Sequence, residues 1–151
     1  MTSRPSFVRL AAVLALAAGA ATAAFADDSA ALAAAAKEPG AVVTPSGLVF
    51  KSIKDGIGAS PKATDTVKVN YVGTFPNGKK FDASGDHGGA ISFPLNGVIK
   101  CWTEGVQKLK VGGKAKLTCP SAIAYGPREV GGGLIPANST LVFEVELVAI
   151  N

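Results

Sequence analysis

Apolar and polar residues alternate along several segments of the chain, and the clearest is segment 141–150 near the C-terminus. Its odd-numbered positions are all apolar, whereas two of its even-numbered positions are glutamates. Segments 67–71 and 114–119 alternate in the same way. Because successive side chains of a strand point to opposite faces, this period of two predicts half-buried β-strands.

Turn signals separate these segments. Pro76-Asn77-Gly78 follows the alternating segment 67–71 and predicts a hairpin with a type I′ turn, because Asn-Gly accepts positive φ angles. Pro94 ends the short apolar segment 91–94. Since proline cannot donate a hydrogen bond to a neighbouring strand, this segment is expected at a sheet edge or a bulge.

One stretch has helical spacing instead. Ile99, Trp102, Val106 and Leu109 recur at intervals of three or four residues, before a pair of glycines at 112–113. This spacing predicts one helix of about eight to ten residues with a single apolar stripe. We therefore predict an α+β fold, in which an antiparallel five- to six-stranded sheet wraps around one short α-helix.

The N-terminus has the layout of a secretory signal. Arg4 and Arg9 precede the apolar run 10–18, and Ala24-Phe25-Ala26 forms a small-residue cleavage site. The apolar run is shorter than a spanning helix, so residues 1–26 are predicted to be a signal peptide and the protein to be exported, most simply to the periplasm. The alternative is an uncleaved membrane anchor.

The remaining chain divides into two parts. Residues 27–43 are Ala-rich and favour a helical turn or two before Pro39-Gly40 ends it. This segment is either an unstructured linker or an arm that docks on the domain. Residues 44–151 form one predicted domain, with no second apolar segment of spanning length.

Charge and chemical motifs exclude several function classes. The net charge of +4 is small and scattered, which argues against a nucleic-acid partner. His87 is the single histidine and belongs to no metal-binding cluster, so neither a metal nor another cofactor is expected. A nucleophilic hydrolase would need Cys101 or Cys119 to be free and activated, which export disfavours.

The two cysteines are better read as a pair. In an oxidising compartment, Cys101 and Cys119 are predicted to form a disulfide. Such a bridge closes a loop of about 20 residues and stabilises the fold by about 3 kcal/mol in the chain-entropy model. The alternative is two buried thiols that act as small hydrophobic side chains.

Aromatic and aliphatic residues from different elements then suggest a pocket. Tyr125 lies in a loop bounded by glycine and proline, and Asp82 directly follows apolar Phe81. A polar group among apolar neighbours needs a hydrogen-bonding partner or a ligand.

At these residues the chain resembles a known family, the FKBP-type peptidyl-prolyl cis–trans isomerases, in its bacterial exported form. The resemblance covers about residues 44–151. Seven blocks carry it in the family order: Val69-Asn-Tyr-Val-Gly73, Asn77-Gly-Lys-Lys-Phe-Asp82, Val98-Ile-Lys-Cys-Trp-Thr-Glu-Gly105, Val111-Gly-Gly-Lys114, Ala124-Tyr-Gly126, Ile135-Pro136 and Thr140-Leu-Val-Phe-Glu-Val-Glu-Leu147.

The resemblance implies rotation of X-Pro bonds by stabilisation of a twisted amide, without a covalent step. It implies catalytic roles for Tyr71, Asp82, Ile99 and Tyr125. It implies substrate contacts for Phe81, Ile91, Phe93, Val98, Trp102, Leu134, Ile135 and Phe143. Trp102 is expected to form the pocket floor. The Ile99 N–H and the Tyr125 hydroxyl are expected to donate hydrogen bonds to substrate carbonyls. The Asp82 carboxylate is expected to polarise the site.

The expected partners are proline-containing polypeptides, with macrolide inhibitors as a further ligand class. The alternative function is a non-catalytic chaperone or peptide-binding module that uses the same pocket. The segment 27–43 is too short for a dimerising arm, which predicts a monomer. His87 stands where the family commonly has an arginine near Asp82, so an ion pair there is expected to depend on pH.

Overall fold

The computed structural model of the protein describes residues 23–151, with side chains from residue 30 onward. Residues 1–22 of the predicted signal peptide therefore lie outside the described residues. The helices are α1 (Ala23–Ala36) and α2 (Lys100–Val106). The strands are β1 (Ala41–Val43), β2 (Val49–Lys54), β3 (Thr66–Thr74), β4 (Lys80–Ala83), β5 (Ile91–Pro94), β6 (Lys114–Cys119) and β7 (Leu141–Ile150).

The strands form one antiparallel seven-stranded sheet with the order β1-β2-β6-β7-β3-β4, and β5 pairs with β3 beside β4. The α+β prediction is confirmed, and the predicted period of two holds along β3 and β7. Leu141, Phe143, Val145 and Leu147 are all buried on the inner face of β7. β5 pairs only with β3, so Pro94 lies on an edge strand as predicted.

The turn between β3 and β4 differs from the predicted type. The Gly78 N–H donates to the Phe75 carbonyl oxygen at 2.8 Å. Gly78 has φ +90°, whereas Asn77 does not have a positive φ. A type I′ turn requires positive φ at both central residues, which here are Pro76 and Asn77. The proline ring fixes a negative φ at Pro76, and the left-handed residue is Gly78, one position after the central pair. The hairpin itself is present.

Helix α2 packs against the inner face of the sheet through Trp102, Val106 and the disulfide-bonded Cys101. The approach is close at Gly105, where a Cβ atom would lie 2.8 Å from Leu117 Cδ2. The helix has seven residues and is shorter than predicted. Leu109 lies beyond its end, because the Leu109 N–H bonds to the Val106 carbonyl in a tighter turn.

The predicted disulfide is present between Cys101 on α2 and Cys119 at the end of β6. The two Cα atoms are 5.9 Å apart, and both side chains are fully buried. The bond ties the helix directly to the sheet, next to Trp102.

Residues of the Ala-rich segment dock on the sheet, which accounts for a strand beyond the predicted five or six. Strand β1 pairs with the edge of β2. Glu38 Oε2 lies 3.0 Å from Lys116 Nζ, and its Oε1 lies 3.3 Å from Lys51 Nζ. The hydrogen bond from Lys116 and the second lysine lower the pKa of Glu38 against the effect of burial. Neither helix in the described part of the chain is long and apolar enough to cross a membrane.

Candidate active site

A cavity of about 650 Å³ opens between α2, the inner face of β3 and β7, strand β4 and the loop that follows β6. Its lining is mainly aromatic and aliphatic, with four side chains that carry an ionisable group. The lining residues are Tyr71, Phe81, Asp82, Phe93, Gly97, Val98, Ile99, Trp102, Ala122, Ala124, Tyr125, Gly126, Arg128 and Phe143.

Trp102 forms the centre of the aromatic lining and is only 5% exposed. Its ring meets Tyr71, Phe93 and Phe143 edge to face, with centroid distances of 5.2, 5.6 and 5.4 Å. Edge-to-face pairs place the positive edge of one ring against the negative face of the other, so three of them fix the indole plane. The result is a rigid apolar floor at the start of α2.

The wall beside this floor is formed by Phe81 on β4 against Phe143 on β7, with ring centroids 5.6 Å apart. The two rings lie over Gly73 of β3. A Cβ atom at residue 73 would lie 2.6 Å from Phe81 Cζ and 2.9 Å from Phe143 Cε1. Glycine at this position therefore permits the wall to lie flat on the strand.

Asp82 is the acidic group of the cavity, and its carboxylate oxygens already have partners. The Tyr71 hydroxyl donates to Oδ2 at 2.7 Å, the Ala83 N–H donates to Oδ1 at 2.9 Å, and His87 Nε2 lies 2.8 Å from Oδ1. Burial raises the pKa of Asp82, but these bonds outweigh it and hold the pKa below its ordinary value. The carboxylate is therefore ionised at neutral pH.

The same arrangement affects the two tyrosines of the cavity. Burial and the hydrogen bond to Asp82 raise the pKa of Tyr71 far above its ordinary value. Burial and the negative charge of Asp82 also raise the pKa of Tyr125. Both hydroxyls are therefore protonated donors over the whole neutral range. They differ in their partners, because the Tyr125 hydroxyl has no hydrogen-bond partner among residues 30–151, whose side chains the structure describes.

Two backbone segments position the polar groups of the cavity. The Ile99 carbonyl accepts the N–H groups of Trp102 and Thr103 and so begins α2, while the Ile99 N–H has no acceptor among the described residues. The Gly126 N–H donates to the Ser121 carbonyl at 2.8 Å, which closes the turn that carries Tyr125.

Nine of the twelve residues predicted for the site line the cavity, and three do not. Ile91 lies on β5 and packs half-buried against the core. Ile135 is buried in the core, where it bridges to Val130, and its neighbour Leu134 points away and is 53% exposed. The nine are Tyr71, Phe81, Asp82, Phe93, Val98, Ile99, Trp102, Tyr125 and Phe143.

The prediction missed Arg128, which lines the cavity from the loop after Tyr125, and four small residues. Small residues carry no chemical signal in a sequence, whereas Arg128 had one, since it follows Tyr125 within the same loop. Among residues 30–151, whose side chains are described, no group of three or more His, Cys, Asp or Glu residues could hold a metal ion.

An antiparallel sheet that wraps a short helix, with an aromatic cavity at the start of that helix, defines a class of ligand-binding α+β domains. Comparison with known families makes this specific. The sequence profile described as FKBP-type peptidyl-prolyl cis-trans isomerase matches residues 58–148. The chain belongs to this family.

Comparison with individual relatives supports the same family assignment. FkpA of Aeromonas hydrophila, an FKBP-type peptidyl-prolyl cis-trans isomerase, is 57% identical over 119 residues, which cover 79% of this chain and 44% of that protein. A solved peptidyl-prolyl cis-trans isomerase from Pseudomonas syringae superposes with a TM-score of 0.78 at 36% identity and covers 85% of this chain and 94% of its own.

The crystal structure of Escherichia coli FkpA superposes with a TM-score of 0.73 at 41% identity and covers 99% of this chain and 75% of its own. The FkpA sequences are longer proteins: this chain spans less than half the length of those from Aeromonas hydrophila and Escherichia coli.

Proposed function

We propose that the protein is a peptidyl-prolyl cis–trans isomerase that accelerates rotation about X-Pro bonds in proline-containing polypeptides. The observation that carries this proposal is the rigid apolar floor at Trp102, held by three edge-to-face contacts beside hydrogen-bond donors without internal partners. A proline ring is apolar and flat enough to lie on such a floor.

The reaction breaks no covalent bond, but amide resonance opposes rotation with a barrier of about 18–20 kcal/mol. A planar amide is strongly dipolar, and an apolar cavity solvates it poorly. The twisted amide has less charge separation and is therefore favoured in the cavity relative to the planar amide. Binding the twisted form more tightly than the planar form lowers the barrier.

Two donors are proposed to hold the substrate backbone. Ile99 and Tyr125 both line the cavity, and the Ile99 N–H and the Tyr125 hydroxyl have no acceptor among the described side chains and backbone. Each would donate a hydrogen bond to one substrate carbonyl oxygen, which fixes the peptide on either side of the proline. Backbone hydrogen bonds hold Ile99 at the start of α2 and hold the turn that carries Tyr125, which limits the conformational entropy lost when the substrate binds.

Asp82 is proposed to act differently, because its oxygens are occupied by Tyr71, His87 and the Ala83 N–H. Its charge polarises the cavity, and its hydrogen bonds hold β4 and the turn that contains His87 against β3. We treat Asp82 and Tyr71 as positioning residues for the apolar wall. Removal of either is expected to loosen Phe81.

We further propose that the protein works on exported polypeptides after removal of residues 1–26, as a monomer, and that macrolides compete for the cavity. The signal layout of the N-terminus and the Cys101–Cys119 disulfide support an oxidising compartment. The short docked arm, with β1 on the edge of β2, supports the monomer.

The experiment is the cis–trans exchange rate of an Ala-Pro peptide, measured by exchange NMR with and without catalytic amounts of the protein. Acceleration that falls in the Tyr125→Phe variant supports the proposal. Chemical-shift changes of the cavity residues without any acceleration would instead identify a non-catalytic peptide-binding module. Absence of both would overturn the proposed site.

A further inference from the structure

Arg128 lies on a turn that the structure fixes against the cavity. The Arg128 N–H donates to the Tyr125 carbonyl at 3.2 Å, so the guanidinium-bearing residue follows Tyr125 by one tight turn. The base of this turn is held at Gly126, which donates to Ser121 and accepts from the Asn138 N–H, each at 2.8 Å. Arg128 is exposed to solvent and also lines the cavity.

The two charged groups of the cavity differ in whether they already have a partner within the protein. The carboxylate of Asp82 is occupied by Tyr71, His87 and a backbone N–H. The guanidinium of Arg128 forms no ion pair with any described residue, including the adjacent Glu129, although ion pairs elsewhere in the same part of the chain are present. The cavity therefore offers a substrate one free charge, and this charge is positive.

We propose that Arg128 is a specificity-determining residue that selects X-Pro segments with a carboxylate side chain next to the proline. The inference rests on the proposed isomerase function and adds the substrate class that the cavity prefers. Because Arg128 follows Tyr125 by one tight turn, a peptide bound at Tyr125 has the side chains next to its proline near Arg128. An acidic side chain at that place meets an unpaired guanidinium. A basic side chain at the same place meets a like charge.

The size of this preference follows from the exposure of the guanidinium. A planar guanidinium binds a carboxylate through two parallel N–H donors. Solvent screens such a pair at the surface, which limits the gain in kcat/KM of a Glu-containing peptide over its Gln analogue to about two- to fivefold. The gain falls when salt is raised from about 0.05 M to about 1 M, because the screening length then drops to about 3 Å.

The experiment compares peptides that carry Glu, Gln or Lys immediately before the proline, and a second set with the same residues immediately after it. Exchange NMR measures their isomerisation without a coupling protease, whose own charge preference would interfere. We expect the order Glu above Gln above Lys in at least one set. Equal rates in both sets would overturn the proposal.

Three variants assign the preference to Arg128. Arg128→Gln is expected to bring the Glu-to-Gln ratio to about one, and Arg128→Glu is expected to invert the order of Glu and Lys. Lys62→Gln removes one positive charge from an exposed position outside the cavity and is expected to leave the ratio unchanged. A ratio that survives in Arg128→Gln, or that is lost in Lys62→Gln, would contradict the inference.

The outcomes separate the inference from the function on which it rests. If no peptide is accelerated, the proposed isomerase function fails. If all peptides are accelerated equally, the function stands and the role of Arg128 fails. Because Arg128 is exposed and its turn is held by backbone hydrogen bonds, its variants should fold, and this is checked by unfolding in urea.

Discussion

The imidazole Nε2 of His87 lies 2.8 Å from Oδ1 of Asp82, the carboxylate whose other oxygen accepts the hydroxyl of Tyr71. A titratable side chain thus stands at the end of a hydrogen-bonded chain that begins inside the aromatic cavity. The sequence predicted an ion pair that depends on pH at this place, and the distance supplies the contact it needs. The surrounding charges are Asp86 and its partner Lys80, 3.2 Å apart.

Replacement of His87 by Gln removes one of the hydrogen bonds that lower the pKa of Asp82, so its cost in stability should depend on pH. Asp82 has a lowered pKa in the folded state, so its contribution is present above about pH 4, its unfolded value, and is lost as the pH falls through the folded value. The cost of losing the His87 contact is therefore largest above about pH 4 and falls as Asp82 becomes protonated.

The measurement is the difference in unfolding free energy between the wild type and His87→Gln at about pH 6, above the unfolded pKa of aspartate, and at about pH 3, below it. Because both partners are partly exposed, we expect at most about 1 kcal/mol. The His87→Arg variant keeps a hydrogen-bond donor beside Asp82 and should lose less stability than His87→Gln. A His87→Gln difference that is equal at both pH values would count against the pair.

Replacement of Tyr71 by Phe removes the hydroxyl that Asp82 accepts and should destabilise the fold by about 1.5–3 kcal/mol, as expected for a hydrogen bond to a charged group. The loss also removes one of the interactions that lower the pKa of Asp82, which should rise in the variant. Urea unfolding measures the first effect and an NMR titration of the Asp82 carboxyl carbon the second. A carboxyl that titrates as in the wild type would contradict the assignment.

Tyr125→Phe removes the other cavity hydroxyl, which has no partner among residues 30–151, and it should affect activity rather than stability. The unfolding free energy is expected to change by less than about 0.5 kcal/mol. Because one hydrogen bond is worth about 0.5–1.5 kcal/mol, kcat/KM for an Ala-Pro peptide should fall about two- to twelvefold. Tyr71→Phe is its matched control, with the larger effect on stability.

The sequence predicted those parts of the fold that depend on local pattern. The strand period of β7, the edge position of Pro94 and the apolar stripe at Trp102 all depend on residues close together in the chain. The docked arm was left open between two alternatives, because Glu38 meets Lys51 and Lys116 only after the sheet has formed. Local spacing carries no signal for such a contact.

The difference between the predicted site residues and those that line the cavity has a related cause. The resemblance to a family indicates which positions are near the cavity, but not which way each side chain points. Leu134 and Ile135 are neighbours, and the bridge between Ile135 and Val130 turns Ile135 into the core and leaves Leu134 in solvent. Arg128 was missed although it follows Tyr125 in the same loop, because its place beside the cavity depends on the turn that brings it back toward Tyr125.

Removal of the disulfide tests the link between α2 and the sheet. The Cys101→Ala/Cys119→Ala double variant should lose about 3 kcal/mol of unfolding free energy, since the bond restricts the unfolded chain. Alanine is chosen because a serine hydroxyl at these fully buried positions would need a partner. The denatured, unreduced wild type should show no free thiols. Detection of two free thiols would show that the disulfide does not form.

Gly73→Ala tests whether the Phe81–Phe143 wall controls ligand binding. The new methyl group would lie 2.6 Å from Phe81 Cζ and 2.9 Å from Phe143 Cε1, so both rings must shift off the strand. Such overpacking typically costs about 1–3 kcal/mol, and the displaced wall should also raise KM for an Ala-Pro peptide. The control is Gly85→Ala, because a methyl group at residue 85 meets nothing within 4 Å and its backbone is not left-handed. If both variants keep the wild-type KM and stability, the wall does not depend on residue 73, and the close contact does not determine the shape of the cavity.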